Sequence, residues 1–231
     1  MLILAIDTAL DACSVAVLDT EATELLAQEQ LLMKRGHAEA LMPMIARVMQ
    51  SANVTFTALD RIAVTVGPGS FTGLRVGISA ARGLALAAAR PAIGLTTLSA
   101  YAAAVVGQSK SAPVISAIDA RHDHVYFQIV AGDGSQLVRP RVAAIDEAIA
   151  ASQFGAPHLV GNAANILAER WPKDGEQPVA VDTQAAPDIG WVAWLGAAAD
   201  PATNPARPFY LKAPDAKPAA APPFAAHAAT P

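Results

Sequence analysis

The chain has 231 residues, 53% apolar and 16% charged, with a formal net charge of −4 at pH 7. That length holds one large domain or two small ones, and the composition is that of a well-buried globular protein. Lys and Arg gather on no single segment, which argues against this chain alone gripping a nucleic-acid backbone but leaves room for a place in a complex that acts on RNA. The one cysteine, Cys13, excludes an intramolecular disulfide framework and a multi-cysteine metal site, and fits a reducing compartment.

In chain order, Leu2 to Asp7 is an apolar run of strand length. It lacks a basic flank and meets Asp7 too soon for a signal peptide. A second strand is expected near Ser14 to Asp19, and Glu24 to Met33 reads as a third strand whose composition also permits helix. From His37 to Ala52 the period becomes helical. Leu41, Met42, Ile45, Val48, Met49 and Ala52 share one face, with Glu39, Arg47 and Gln50 opposite and Pro43 on the outer side.

Arg61 to Val66 reads as a buried strand. It runs into Gly67-Pro68-Gly69-Ser70-Phe71-Thr72-Gly73, a glycine-rich turn that opens a helix over 72–89. Strand, glycine turn and helix N-terminus together make an anion cradle or permit a very close backbone approach. Along the helix, Gly73, Gly77, Ala81 and Ala85 form an i, i+4 ridge of small residues, and only Arg75, Ser79 and Arg82 are polar. A helix apolar over most of its circumference is covered from two directions. Its longest apolar run, Val76 to Ala89, is broken by Arg82 and is too short to span a bilayer, so a soluble cytoplasmic protein without membrane contact is expected.

Further along the chain lies an internal echo. Ala5-Ile6-Asp7-Thr8-Ala9-Leu10-Asp11 resembles Ala117-Ile118-Asp119-Ala120-Arg121-His122-Asp123, and each is succeeded by a β-prone stretch. Two hairpin openings of one design predict two α/β halves, over 1–107 and 108–212. In the second half, His158–Val160 and Val179–Val181 read as strands, and Asn162 to Trp171 and Asp188 to Ala199 as helices, with Asn162 and Asp188 as N-caps. Phe209-Tyr210-Leu211 is expected to dock on the body, and the Pro/Ala-rich segment 213–231 to be a disordered tail.

The glycine loop fails three chemical templates. A P-loop needs lysine after its last glycine, where Leu74 stands. A Rossmann loop is one residue shorter and needs a carboxylate near Gly94–Ala100, a stretch that has none. A nucleophile elbow needs glycines two residues either side of serine, and Ser70 has Pro68 and Thr72 there. Ser70 or Thr72 is better read as a helix cap. Asp119, His122, Asp123 and His124 contain metal-ligand residue types, but no second cluster supplies further ligands, so a polar hairpin turn is the expectation. Cys13 reads as a packed bystander.

Leu4–Ala9, His37–Pro43, Gly67–Gly77, Asp119–Tyr126 and the late Tyr210-Leu-Lys212, with Asp215-Ala-Lys217 behind it, occur in the order that resembles the TsaB (YeaZ) family, over nearly the whole chain. The resemblance implies an α/β fold of the actin/Hsp70/sugar-kinase-like (ASKHA) type with two related subdomains. It implies a non-catalytic subunit of the bacterial tRNA threonylcarbamoyladenosine complex that binds the catalytic homologue TsaD, works with the ATPase TsaE, touches tRNA only through the complex, and self-associates when alone. ATP and a metal ion belong to the partner subunits on this reading, with no cofactor bound tightly by this chain. The catalytic homologue carries a H-x-E-G-H metal motif where this chain reads Thr97-Leu-Ser-Ala-Tyr101, so no metal site and no catalytic residue are expected here. In the family the first two helices pair with a partner's. The corresponding residues here are His37, Leu41, Ile45, Val48, Gly73, Val76, Gly77, Ala80 and Gly83. A weak nucleotide or phosphate contact falls to Asp7, Thr8, Gly67, Gly69 and Ser70. The alternative is a nucleotide-dependent phosphotransferase or ATPase of the same fold, for which the turn Thr8–Asp11 lacks the phosphate-side glycine. A peptidase reading finds neither a metal cluster nor a serine elbow.

Overall fold

The computed structural model describes residues 1–108, 112–151 and 153–212; the segment read as a disordered tail lies outside them. The first half contains β1 (Leu2–Asp7), β2 (Ala12–Asp19), β3 (Glu24–Leu32), α1 (His37–Ser51), β4 (Arg61–Gly67), α2 (Phe71–Ala88) and β5 (Ala92–Thr96), followed by α3 (Thr97–Ala103). The second contains β6 (Val114–Arg121), β7 (His124–Val130), β8 (Gln136–Ala144), α4 (Ile145–Ala150), β9 (His158–Val160), α5 (Ala164–Glu169), β10 (Ala180–Asp182) and α6 (Ile189–Ala198).

The echo read from sequence is a duplication in space. One sheet is ordered β3-β2-β1-β4-β5 and the other β8-β7-β6-β9-β10. In each, the first three strands are antiparallel and the last two add in parallel. Glu24–Leu32, left open between helix and strand by its composition, is the antiparallel edge. Its counterpart β8 and the short α4 escape sequence reading. Pro140 and three charged side chains interrupt the alternation expected of a strand over 136–146, which is tolerated only at a sheet edge.

β1 and β4 are almost wholly buried because both faces of the first sheet are covered. Leu4, Ile6, Ile62 and Val64 pack with Leu41, Ile45, Leu74 and Ile78 of α1 and α2. Ile3, Ala5 and Ala63 pack with Ile189, Val192 and Ala193 of α6. On α1 the buried stripe is Leu41, Met44, Ile45, Val48 and Met49, while Met42, expected on that face, is 49% exposed. The i, i+3, i+4 set that starts at Leu41 takes Met44 and turns Met42 outward.

α6 follows the second half in sequence but crosses back under the first sheet. Arg61, at the start of β4, fixes its end by donating from Nη1 to the carbonyls of Gly196, Ala197 and Ala199 at 3.2, 2.9 and 2.7 Å. A cation on orphan C-terminal carbonyls is where the helix dipole favours one. Beyond α6 the chain runs along the β5 edge, with Gly94 N donating to Asn204 O and Phe209 N to Val66 O, and Tyr210 stacks on Phe71 at 5.5 Å between ring centroids. The Phe209–Leu211 segment thus docks at the start of α2.

Candidate functional site

The two hairpin turns and the glycine loop meet at a cleft of about 310 Å³ between the halves. Ala9, Leu10 and Asp11 line it from one turn and Asp119, Ala120, Arg121 and His122 from the other, with Gly69, Ser70, Ile118, Tyr126, Asn162 and Lys212 completing the wall. Among the described residues no helix is long and apolar enough to cross a membrane.

The base of the β1–β2 turn is sealed, while Ala9, Leu10 and Asp11 at its tip line the cleft. Asp7 is fully buried, and its Oδ1 accepts from the Ala9 amide at 3.1 Å and from the Thr65 hydroxyl. Burial holds its carboxyl above the ordinary range, against the lowering pull of the Thr65 and Ala9 hydrogen bonds and of the His37 charge. Its Oδ2 has no hydrogen-bond partner among the described residues. The glycine loop then closes over this turn. Ser70 N donates to Ala9 O at 2.7 Å, the Thr8 hydroxyl donates to Gly73 O at 2.7 Å, and His37 Nε2 donates to Leu10 O at 3.0 Å.

Gly69 and Gly73 are glycines for this contact. A Cβ on either would collide with the carbonyl oxygen of Ala9 or of Thr8. The glycine loop therefore packs directly on the chain's own turn. Of the five residues assigned a nucleotide contact, Gly69 and Ser70 reach the cleft. Asp7 and Thr8 lie buried behind it, and Gly67 packs beneath the Phe209 carbonyl. Ser70 takes the capping role, its Oγ accepting from Gly73 N at 3.3 Å.

The β6–β7 turn is open. Arg121 pairs across to His124, leaving the two-residue loop His122-Asp123, and φ is +52° and +58° there, as in the mirror-image turns that close tight hairpins. Asp119 Oδ1 accepts from Arg121 N at 2.8 Å and Asp123 Oδ1 from Arg170 at 2.7 Å, while His124 Nδ1 lies 2.6 Å from His122 O. These groups hold a turn together, as expected from their sequence. Asn162 is not a helix cap: α5 starts two residues later, and the Asn162 Oδ1 accepts from Asp119 N at 2.9 Å. That link across 43 residues has no local signal, so Asn162, like Arg121, Tyr126 and Lys212, could not be placed at the cleft from sequence.

The helix residues assigned to a partner divide by exposure. His37, Leu41, Ile45, Val48, Gly73 and Gly77 are buried in the chain's own core, Gly77 against the Thr8 hydroxyl. The i, i+4 ridge of α2 that reads as a contact stripe is the side that packs on the first turn and sheet. Val76 and Ala80 are half-buried and Gly83 is exposed, on the outer side of α2. The exposed large apolar groups of these two helices are Met42 of α1 and Phe71 and Leu86 of α2, Leu86 being 85% exposed.

Thr97 and Tyr101 are fully buried. The Tyr101 hydroxyl donates to Gln184 O at 2.9 Å, and burial, with the Asp7 charge, pushes its pKa far up, so it stays a neutral donor. Cys13 is also buried, its thiol pushed up to about 11 chiefly by burial, which removes it as a nucleophile.

A family model described as TsaD: tRNA N6-adenosine threonylcarbamoyltransferase matches residues 25–178. The tRNA threonylcarbamoyladenosine biosynthesis protein TsaB of Escherichia coli is 39% identical over 127 residues, which are 55% of this chain and 54% of that protein. The first curated relatives are thus matched over little more than half their length. An uncharacterized protein of Mycobacterium tuberculosis is 32% identical over 221 residues, covering 94% of this chain and 95% of its own. The solved structure of YeaZ from Pseudomonas aeruginosa superposes with a TM-score of 0.75 at 29% identity, over 91% of this chain and 99% of that one. The duplicated sheets are those of the actin/Hsp70/sugar-kinase-like fold.

Proposed function

Because the chain belongs to the TsaB/YeaZ family, within the span matched by the TsaD threonylcarbamoyltransferase model, we propose that it is a non-catalytic subunit that binds and activates a TsaD-type enzyme in tRNA threonylcarbamoyladenosine formation. The observation that carries this reading is the first turn. In a phosphotransferase of this fold that turn and the glycine loop hold phosphates; here they hold each other, with Asp7 shut behind them and out of reach of a nucleotide. Tyr101, buried and bonded to a backbone carbonyl, stands where the homologue places a metal ligand. Nucleotide and metal then belong to the partner enzyme and to the TsaE ATPase.

The partner surface is the outward strip of α2 around Val76, Ala80 and Gly83, whose small side chains let a second helix approach closely. Met42 supplies exposed apolar area on the neighbouring helix α1. The same strip serves self-association when the partner is absent.

Co-expression with a TsaD-type enzyme, followed by size-exclusion chromatography with and without ATP and TsaE, tests the reading. The two chains are expected to co-elute. Ala80→Arg should abolish co-elution, and Gly83→Arg, at an exposed position, should do so while leaving the thermal midpoint of the isolated chain unchanged, because Ala80 packs partly on the chain's own core and Gly83 does not. Co-elution that survives Ala80→Arg would move the interface elsewhere; failure of the wild-type chains to co-elute would sink the reading itself.

A further inference from the structure

The other flank of α2 differs in chemistry from the partner strip. Phe71, Arg75 and Arg82 recur there at helical spacing, and no carboxylate occurs anywhere between residues 71 and 88. Phe71 is 43% exposed and Tyr210 45% exposed, large aromatic areas for the surface of a chain with 5% aromatic residues. They are ordered against each other. The Arg75 guanidinium lies 3.8 Å from the Phe71 ring centroid, and Tyr210 stacks on the same ring at 5.5 Å and 28°. The result is a pre-built cluster of one cation and two rings at the start of α2, next in sequence to the cleft-lining Ser70 and Lys212, with nearly half of Tyr210 open to solvent. Neither Arg75 nor Arg82 is paired with a carboxylate among the described residues.

We propose that this flank of α2 contacts single-stranded RNA directly, an unpaired base stacking on Tyr210 and the backbone phosphates lying along Arg75 and Arg82. An aromatic face beside cations that have no acidic competitor is the combination that holds an unstacked base and its phosphates. The cleft itself is less suited to phosphate, because Asp11 and Asp119 stand in its wall beside Arg121, His122 and Lys212. The net charge of −4, which speaks against a whole-surface grip on nucleic acid, is compatible with a contact this local. Because the two flanks lie about 125° apart around the helix, partner and RNA can be held together. The inference rests on the proposed role in tRNA modification and extends it, since that role by itself leaves RNA contact to the complex as a whole.

The test is fluorescence anisotropy of the full chain with a labelled single-stranded RNA of about 12 nucleotides, the same sequence as a duplex, and ATP. Single-stranded RNA is expected to bind in preference to both. Tyr210→Leu should weaken it about tenfold with the salt dependence intact, and Tyr210→Phe should restore it. Arg82→Gln should instead flatten the log–log salt dependence by about 0.7. RNA binding absent, or unchanged by both Tyr210→Leu and Arg82→Gln, overturns the proposal. So does preference for ATP or duplex, or loss of TsaD-type partner binding rather than RNA binding in Tyr210→Leu. Co-elution with the partner is scored separately, so either idea can fail without the other.

Discussion

The β1–β2 and β6–β7 turns begin from nearly the same residues, Ala-Ile-Asp and then a second aspartate four positions later, and end in opposite environments. Asp7 is fully buried, with the glycine loop closed over its turn; Asp119 lies in the cleft wall, and its turn projects into solvent. The difference lies in the segments that each half brings to its turn. The first half supplies a loop with glycines at positions 69 and 73 and a long helix that can lie directly on the turn. The second supplies α5, six residues long, and reaches its turn through one side chain, Asn162. One hairpin design therefore becomes a packing joint in one half and an open rim in the other.

If the first turn is a packing joint, the largest effect comes from denying the close approach. Gly73→Ala places a Cβ against the Thr8 carbonyl, where backbone faces backbone and neither can swing aside. A loss of about 3 kcal/mol or more is expected in urea unfolding, above the usual range for overpacking. Stability within about 1 kcal/mol of wild type would show that the joint has slack. Thr65→Val comes next. It keeps the side-chain shape but removes the hydroxyl that donates to Asp7, leaving a buried oxygen short of a partner, with an expected loss of about 1–3 kcal/mol.

Asp7 also gives the joint a pH signature. Burial raises its carboxyl in the folded state, so the folded protein holds this proton more tightly than the unfolded chain does. The corresponding stability is fully present below the unfolded carboxylate value and is lost as pH rises toward the folded one. Asp7→Asn removes the proton and should remove that decline. The difference between variant and wild type, measured by urea unfolding from about pH 3 upward, should move in favour of Asn as pH rises, by no more than about 1.4 kcal/mol per pH unit. A difference that is flat in pH, or that moves toward wild type, would mean the carboxyl is charged and solvated.

Most of this architecture was legible in the chain. The Asp7 and Asp119 echo announced the duplicated sheets, and Ser70 and Asp188 stand as caps where their spacing put them. Which side of α2 is turned inward was not legible. Gly73, Gly77, Ala81 and Ala85 make a ridge of small residues, and smallness is demanded equally by a close-packed partner and by the chain's own turn. Only the position of Thr8, 65 residues earlier, distinguishes the two. The cleft residues Tyr126, Asn162 and Lys212 were hidden for the same reason: long-range placement leaves no periodic trace.

The smallest effect has the opposite sign and belongs to the open turn. His122 sits at φ +52° in a two-residue loop, a conformation that costs a residue with a Cβ about 1–2 kcal/mol and glycine very little. It is exposed, and its carbonyl is what His124 Nδ1 contacts, so removing its side chain leaves that bond in place. His122→Gly trades the strain for the larger entropy of an unfolded glycine, and the balance should be a gain of about 1 kcal/mol or less. Differential scanning calorimetry should then show the midpoint rising slightly, where Gly73→Ala lowers it steeply. If His122→Gly were instead strongly destabilising, the imidazole would have a packing role, and the two turns would be more alike than their exposure indicates.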